Sequence, residues 1–239
     1  MVGTLINVAT VVVGAVLGRA LGARLSDRVR ETVMHVIALV TFALGIGMVL
    51  KSADTLVLLF SLVLGALTGE VLGIEAGIER LGRFAEQRLT GKSEGGDFVR
   101  GFVTTSILFC VGPMTILGCL NDGLRGDYRL LAVKATLDGI SSVGLASALG
   151  WGVLLSAITV LLVQGGLTLG ARALEPVLLD PAVQNELFAT GGVLMLGLGF
   201  RLLELKPIRV ANLLPALAYA PLLVLLVRWA PVWWRSLVG

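Results

Sequence analysis

The run TLVLLFSLVLGALTGEVLGI, residues 55–74, decides the fold: twenty residues with Glu70 as the one ionisable group. As a helix it rises roughly 30 Å, the thickness of a bilayer's hydrocarbon core. Neither Val57 to Leu67 nor Ala157 to Val163 alternates in polarity, as the strands of a transmembrane barrel would. Similar runs recur along all 239 residues, and 56% hydrophobic residues against 15% charged give a mean hydropathy of +0.93. Such a balance excludes an ordinary soluble domain. The 31 glycines sit within the apolar runs, as where membrane helices approach closely through small residues.

Working outward from 55–74, the sequence predicts an all-α polytopic transmembrane bundle of about eight spans. Span 1 covers Gly3 to Gly18, followed by Arg19, Arg24, Arg28 and Arg30, and span 2 covers Thr32 to Leu50. Span 3, Thr55 to Ile74, continues into an amphipathic tail. There Ile74, Ile78, Leu81 and Ala85 recur at helical spacing and Glu79 can pair with Arg83, which suits a helix on the membrane surface or one that docks a partner. Spans 4 to 8 cover Phe98–Leu120, Arg129–Leu149, Trp151–Leu169, Leu187–Leu203 and Ile208–Val227, with Trp229, Trp233 and Trp234 as an interfacial aromatic belt. The expected organisation is a three-helix unit over 1–90, a linker over 91–97, a central pair over 98–149 and a second three-helix unit over 150–239, all in one membrane domain.

The net charge of +3 and pI near 9.2 do not indicate nucleic acid, because the basic residues lie between spans and are mixed with acids. They read as topology signals. With the N-terminus outside, the cytoplasmic side collects twelve of the nineteen basic residues, so both termini are expected to be non-cytoplasmic. Arg19 follows the first apolar run rather than preceding it, so that run is expected to persist as a helix instead of a cleaved signal. Cys110 and Cys119 read as packing thiols, and His35, alone and near a span end, supports no metal site. No cofactor is expected.

Laying the segment from Gly3 on that from Gly152 pairs Leu5 with Leu154, Thr10 with Thr159 and Val11 with Val160. Leu21 to Arg24 then recurs, one residue out of register, as Leu169 to Arg172, and Gly45 and Gly47 answer Gly197 and Gly199. Chance in apolar sequence remains an alternative to a true repeat. Five spans separate the copies' starts, so spans 1–3 and 6–8 would be inverted repeats flanking spans 4 and 5, a construction common among secondary transporters.

Polar groups at membrane depth are functional hypotheses by default. Lys134 and Asp138 lie one helical turn apart in span 5, with Thr136, Ser141 and Ser142 nearby. They read as a mutual ion pair, as a cation or proton site on Asp138 gated by Lys134, or as a pair split by Lys134 snorkelling to the interface. Gly112 and Pro113 predict a kink or break in span 4, where carbonyls near Phe109 and Cys110 could face a cation. Asn7 and Ser156 occupy matching repeat positions. Gln164, Asn212 with Pro215, and Glu70 are further candidates.

Several groups of these residues together resemble the prokaryotic membrane family called domain of unknown function 554. They are Gly3, Thr4 and Asn7; Gly65, Ala66, Gly69 and Glu70; Phe109 to Gly112; Asp122 and Gly123; Lys134, Leu137, Asp138 and Gly139; Gln164 and Gly165; Asn185 and Glu186; Gly191 and Gly192; and Asn212, Pro215 and Ala216. Pro113 stands where the resemblance leads one to expect a small residue. The resemblance covers nearly the whole chain and implies a bacterial inner-membrane protein without implying an activity. The functional expectation is a secondary transporter of a small ion or solute by alternating access around Asp138, with a non-transporting scaffold or regulatory subunit as the alternative. No paired nucleophile and base is present to suggest an enzyme. The expected partners are the bilayer and the solute, and the glycine-rich faces leave room for a homo-oligomer.

Overall fold

The computed structural model describes residues 1–23, 25–90 and 96–229. Arg24, the linker residues Gly91 to Gly95, and Trp233 and Trp234 lie outside the described residues, as does the side chain of Trp229. Among the described residues all regular structure is helical: α1 (Val2–Gly22), α2 (Asp27–Val49), α3 (Thr55–Leu72), α4 (Ile74–Thr90), α5 (Asp97–Cys110), α6 (Pro113–Arg125), α7 (Arg129–Leu149), α8 (Gly152–Leu169), α9 (Ala171–Leu178), α10 (Pro181–Leu202) and α11 (Ala216–Trp229), with a 3-10 turn at Val210–Leu213 before the last. Local chemistry sets the ends. The Asp54 carboxylate caps α3 by accepting from Leu56 and Val57 N–H, and Gly73 (φ 62°) and Gly126 (φ 67°) end α3 and α6 in the left-handed region.

Six helical stretches are long and apolar enough to cross a bilayer: α1, α2, α3, α7, α8 and Val210–Arg228. The bent pair α5 and α6 makes a seventh if counted as one span. The span expected over Leu187–Leu203 is α10, 22 residues long but less apolar, because it begins earlier than its apolar core and takes in Gln184, Asn185 and Glu186. On helix α4, Ile74, Ile78 and Ala85 are half-buried and Leu81 is exposed, while Glu75, Gly82 and Glu86 are buried.

The helices gather into two compact units that interleave the chain, so neither follows the segments 1–90, 98–149 and 150–239. The first holds Met1–Val40 and Ala76–Leu174. Here α1 runs parallel to α7 through Gly14, Gly18 and Gly22, a glycine every fourth residue. A Cβ on each would fall 2.3, 2.3 and 2.5 Å from the carbonyl oxygens of Gly139, Val143 and Ser147. Only glycine permits that approach. Gly152 lets α8 sit against α5 in the same way, its absent Cβ 1.8 Å from the Phe98 carbonyl oxygen.

The second unit holds Thr41–Glu75 and the chain from Glu175. Gly65 and Gly69 bring α3 onto Ala216 and Asn212, and Gly45 meets Gly192 where α2 crosses α10. Two buried carboxylates stabilise its irregular backbone. Glu186 accepts from the Ser52 hydroxyl (2.9 Å) and from Ala53 and Asp54 N–H (2.7 and 2.9 Å), while Glu75 accepts from Ala211 N–H (2.8 Å) and pairs with Arg201. Their charge is thus spread over backbone donors that no helix satisfies.

Gly18→Leu is expected to destabilise the detergent-solubilised protein by about 2 kcal/mol or more, since overpacking here must separate two backbones. Gly47→Leu, with nothing within 4 Å of its Cβ position, should melt like the parent in the same thermal unfolding assay.

Candidate functional site

The close α1–α7 contact places Asn7 beside Asp138. The Asn7 amide donates to Asp138 Oδ2 at 2.9 Å, and the Lys134 ammonium, one turn earlier on α7, pairs with the same oxygen. All three are buried, at 0, 5 and 7% exposure for Asn7, Lys134 and Asp138. The Lys134 nitrogen also lies 5.9 Å from the centre of the Phe109 ring, and Cys110 is within electrostatic reach of both charges. The pair therefore stands beside the last turn of α5, where span 4 breaks.

The break itself is larger than a kink, with α5 and α6 meeting at 60°. Gly112 takes an extended conformation (φ −70°, ψ 152°) and Pro113 is the first residue of α6, where the donor it lacks would have had no helical partner. The Phe109 carbonyl at the break accepts from the Thr115 hydroxyl at 3.1 Å.

Other predicted residues fall into different settings. Gln164 is fully buried on α8 with neither amide atom partnered. The Ser142 hydroxyl, one turn beyond Asp138, is also buried without a partner, whereas Ser141 is only half-buried. Ser156 donates to its own helix at the Val153 carbonyl (2.7 Å). Glu70 pairs with Arg209 at the exposed end of α3 (2.8 Å), and Asn212 accepts from Glu75 N–H (2.7 Å), so both bond within the second unit. His35 is exposed.

Two features of the site escaped sequence reasoning. Thr104 on α5 is wholly buried with an unpartnered hydroxyl, although a threonine in a helix can bond back to its own backbone. Asp122, which reads as a turn residue, is buried and accepts from Gly3 N–H at 3.1 Å, tying the start of α1 to the end of α6. Its position beside glycine in a span-end loop carried no signal of that. By contrast, nearby Asp127 is only half-buried, and hydrogen bonds from the Arg129 side chain and backbone hold its carboxyl down at about 2.

Removing one member of a buried ion pair strands the other. Lys134→Met or Asp138→Leu alone is expected to cost about 3–5 kcal/mol, and the double variant much less than the sum, in a double-mutant cycle of thermal unfolding.

The model of the family described as "Protein of unknown function (DUF554)" matches residues 2–225. The chain is 29% identical over 232 residues to "Uncharacterized membrane protein YdfK" of Bacillus subtilis (strain 168), covering 95% of this chain and 97% of that protein. It is 32% identical over 227 residues to "Uncharacterized protein YqgA" of Escherichia coli (strain K12), covering 92% and 94%. No solved structure matches. With a family match over almost its entire length and two full-length relatives, the chain belongs to the DUF554 family of membrane proteins.

Proposed function

We propose that the protein is a secondary transporter of a small ion or solute in the bacterial cytoplasmic membrane, with Asp138 as the charged centre of its site. The observation that carries this reading is the buried Asn7, Asp138 and Lys134 cluster set against a broken span. Two charges at membrane depth cost about 2.5–3.5 kcal/mol each on insertion scales, and an apolar pair would fill the space without that penalty. Broken helices beside a buried charge are how transporters bind solutes within a bilayer. Lys134 occupies Asp138 in the unloaded state, and an arriving proton or cation takes its place, while access to the site alternates between the two sides of the membrane.

A non-transporting scaffold is the second reading, favoured by the exposed Leu81 and Phe84 on α4. The test is flux into proteoliposomes loaded with a pH-sensitive dye and challenged with salt gradients. Asp138→Asn should lower the parent's rate at least tenfold while keeping its size-exclusion profile. A parent that moves neither protons nor salt under any gradient would sink the transporter reading, and loss of a co-purifying partner on Leu81→Glu would then favour the scaffold.

A further inference from the structure

Helix α4 is the element that neither the ion pair nor the broken span uses. Its 17 residues hold six ionisable side chains, so it does not cross the bilayer. Its depth follows from its neighbours in the first unit. The turn between α7 and α8 lies at one membrane face, since both helices are candidate spans, and α5 begins beside it. There a Cβ on Gly101 would fall 3.1 Å from Leu149 Cβ, and one on Gly152 would meet the Phe98 carbonyl oxygen. Helix α4 packs on the same first two turns of α5. A Cβ on Gly82 would lie 3.3 Å from Val99 and 3.6 Å from Phe102. The midpoint of α4 therefore rests at the membrane face, where the headgroups begin.

The two sides of α4 differ in charge. Its acids turn to the protein, Glu75 and Glu86 buried and Glu79 half-buried, whereas Arg80, Arg83 and Arg88 are all exposed. At helical spacing Arg80 and Arg83 lie along one edge of the exposed face, and Leu81 and Phe84, each 57% exposed, along the other. The Arg88 guanidinium stands over the Phe84 ring at 5.3 Å and joins the two edges. Arg83 bonds Glu79 at 3.4 Å, an exposed contact weak enough to give way to a phosphate.

Such a face fits one surface above others. A protein partner needs an apolar core within an interface of about 1,600 Å² in total, and two apolar side chains fall far short of that. The bilayer already lies beside α4. Leucine and phenylalanine sink into the acyl boundary while arginines stay at the depth of the phosphates, and a cationic face with its carboxylates turned inward selects anionic headgroups.

We infer that α4 is an in-plane binding site for anionic phospholipid, with Leu81 and Phe84 set among the acyl chains and Arg80, Arg83 and Arg88 paired with phosphate oxygens. Each guanidinium offers a planar fork to two oxygens of one phosphate. The site involves none of the residues around Asp138, so it stands or falls apart from the transporter reading.

The experiment titrates the purified full chain in a neutral detergent with phosphatidylglycerol or phosphatidylcholine and counts bound lipid by native mass spectrometry. Phosphatidylglycerol should bind on the order of a hundredfold more tightly, since each arginine at an anionic surface contributes about fivefold. The triple variant Arg80→Gln, Arg83→Gln, Arg88→Gln should bring the two lipids to within about threefold of each other. Arg125→Gln, exposed at the far end of α6 where Asp122 meets the start of α1, should leave the preference intact. Equal affinity of the parent for both lipids, or a preference that the triple variant keeps, would overturn the inference. So would displacement of phosphatidylglycerol by millimolar inorganic phosphate at matched ionic strength, because the face would then hold a free anion. Should the triple variant fail to elute as the parent does, the single variants decide, each expected to weaken phosphatidylglycerol about fivefold, and three unchanged affinities would sink the site. A soluble protein held through these arginines without any lipid preference would assign the face to that protein instead.

Discussion

The backbone contact between α1 and α7 is the constraint on which the first unit depends. Lipid tails are as apolar as leucine side chains, so no hydrophobic force drives two membrane helices together, and close van der Waals approach and interhelical hydrogen bonds must do so. Gly14, Gly18 and Gly22 remove three Cβ atoms from the face of α1 that meets α7, and the carbonyls of Gly139, Val143 and Ser147 move into the space. That fixes both distance and register. With the register set, Asn7 can fall only next to Asp138.

Carboxylates have a second use in this protein. Glu75 and Glu186 are buried as thoroughly as Asp138, but Glu186 receives two backbone N–H groups from the loop at Ala53 and Asp54, and Glu75 receives one from Ala211 in the 3-10 turn. Both therefore act as structural anchors: the chain leaves α-helical geometry at Ser52–Asp54 and at Val210–Leu213, and a carboxylate supplies what the lost α-helix bonds would have supplied. Asp138 differs because its partners are side chains that can move. A burial figure alone would not separate the two classes; the identity of the donors does.

Most of the fold was legible in the sequence because membrane insertion writes itself as long apolar runs. The residues 55–74 became α3, and Lys134 and Asp138 on one face of span 5 became a real pair. What stayed illegible has physical causes. Helix α10 hides its first turn behind Gln184, Asn185 and Glu186, because a helix whose polar end is satisfied inside the protein need not look apolar. The grouping of α1 with α7 and α8 depends on where glycines face one another, which no single run reveals. Asn212 and Glu70 looked like site residues by type alone, yet their partners Glu75 and Arg209 come from neighbouring elements that sequence could not place.

The ion pair on α7 also bears on how the chain is made. Helix α7 is the least apolar of the candidate spans, and two separate charges would cost about 5–7 kcal/mol on leaving the translocon. Spaced one turn apart, Lys134 and Asp138 can neutralise each other within the nascent helix before any neighbour arrives. The remaining polarity is met by Asn7 on α1, a helix synthesised more than a hundred residues earlier and already in the bilayer. Order of synthesis and order of stabilisation thus coincide: a helix made earlier supplies the partner that makes a less apolar, later one acceptable.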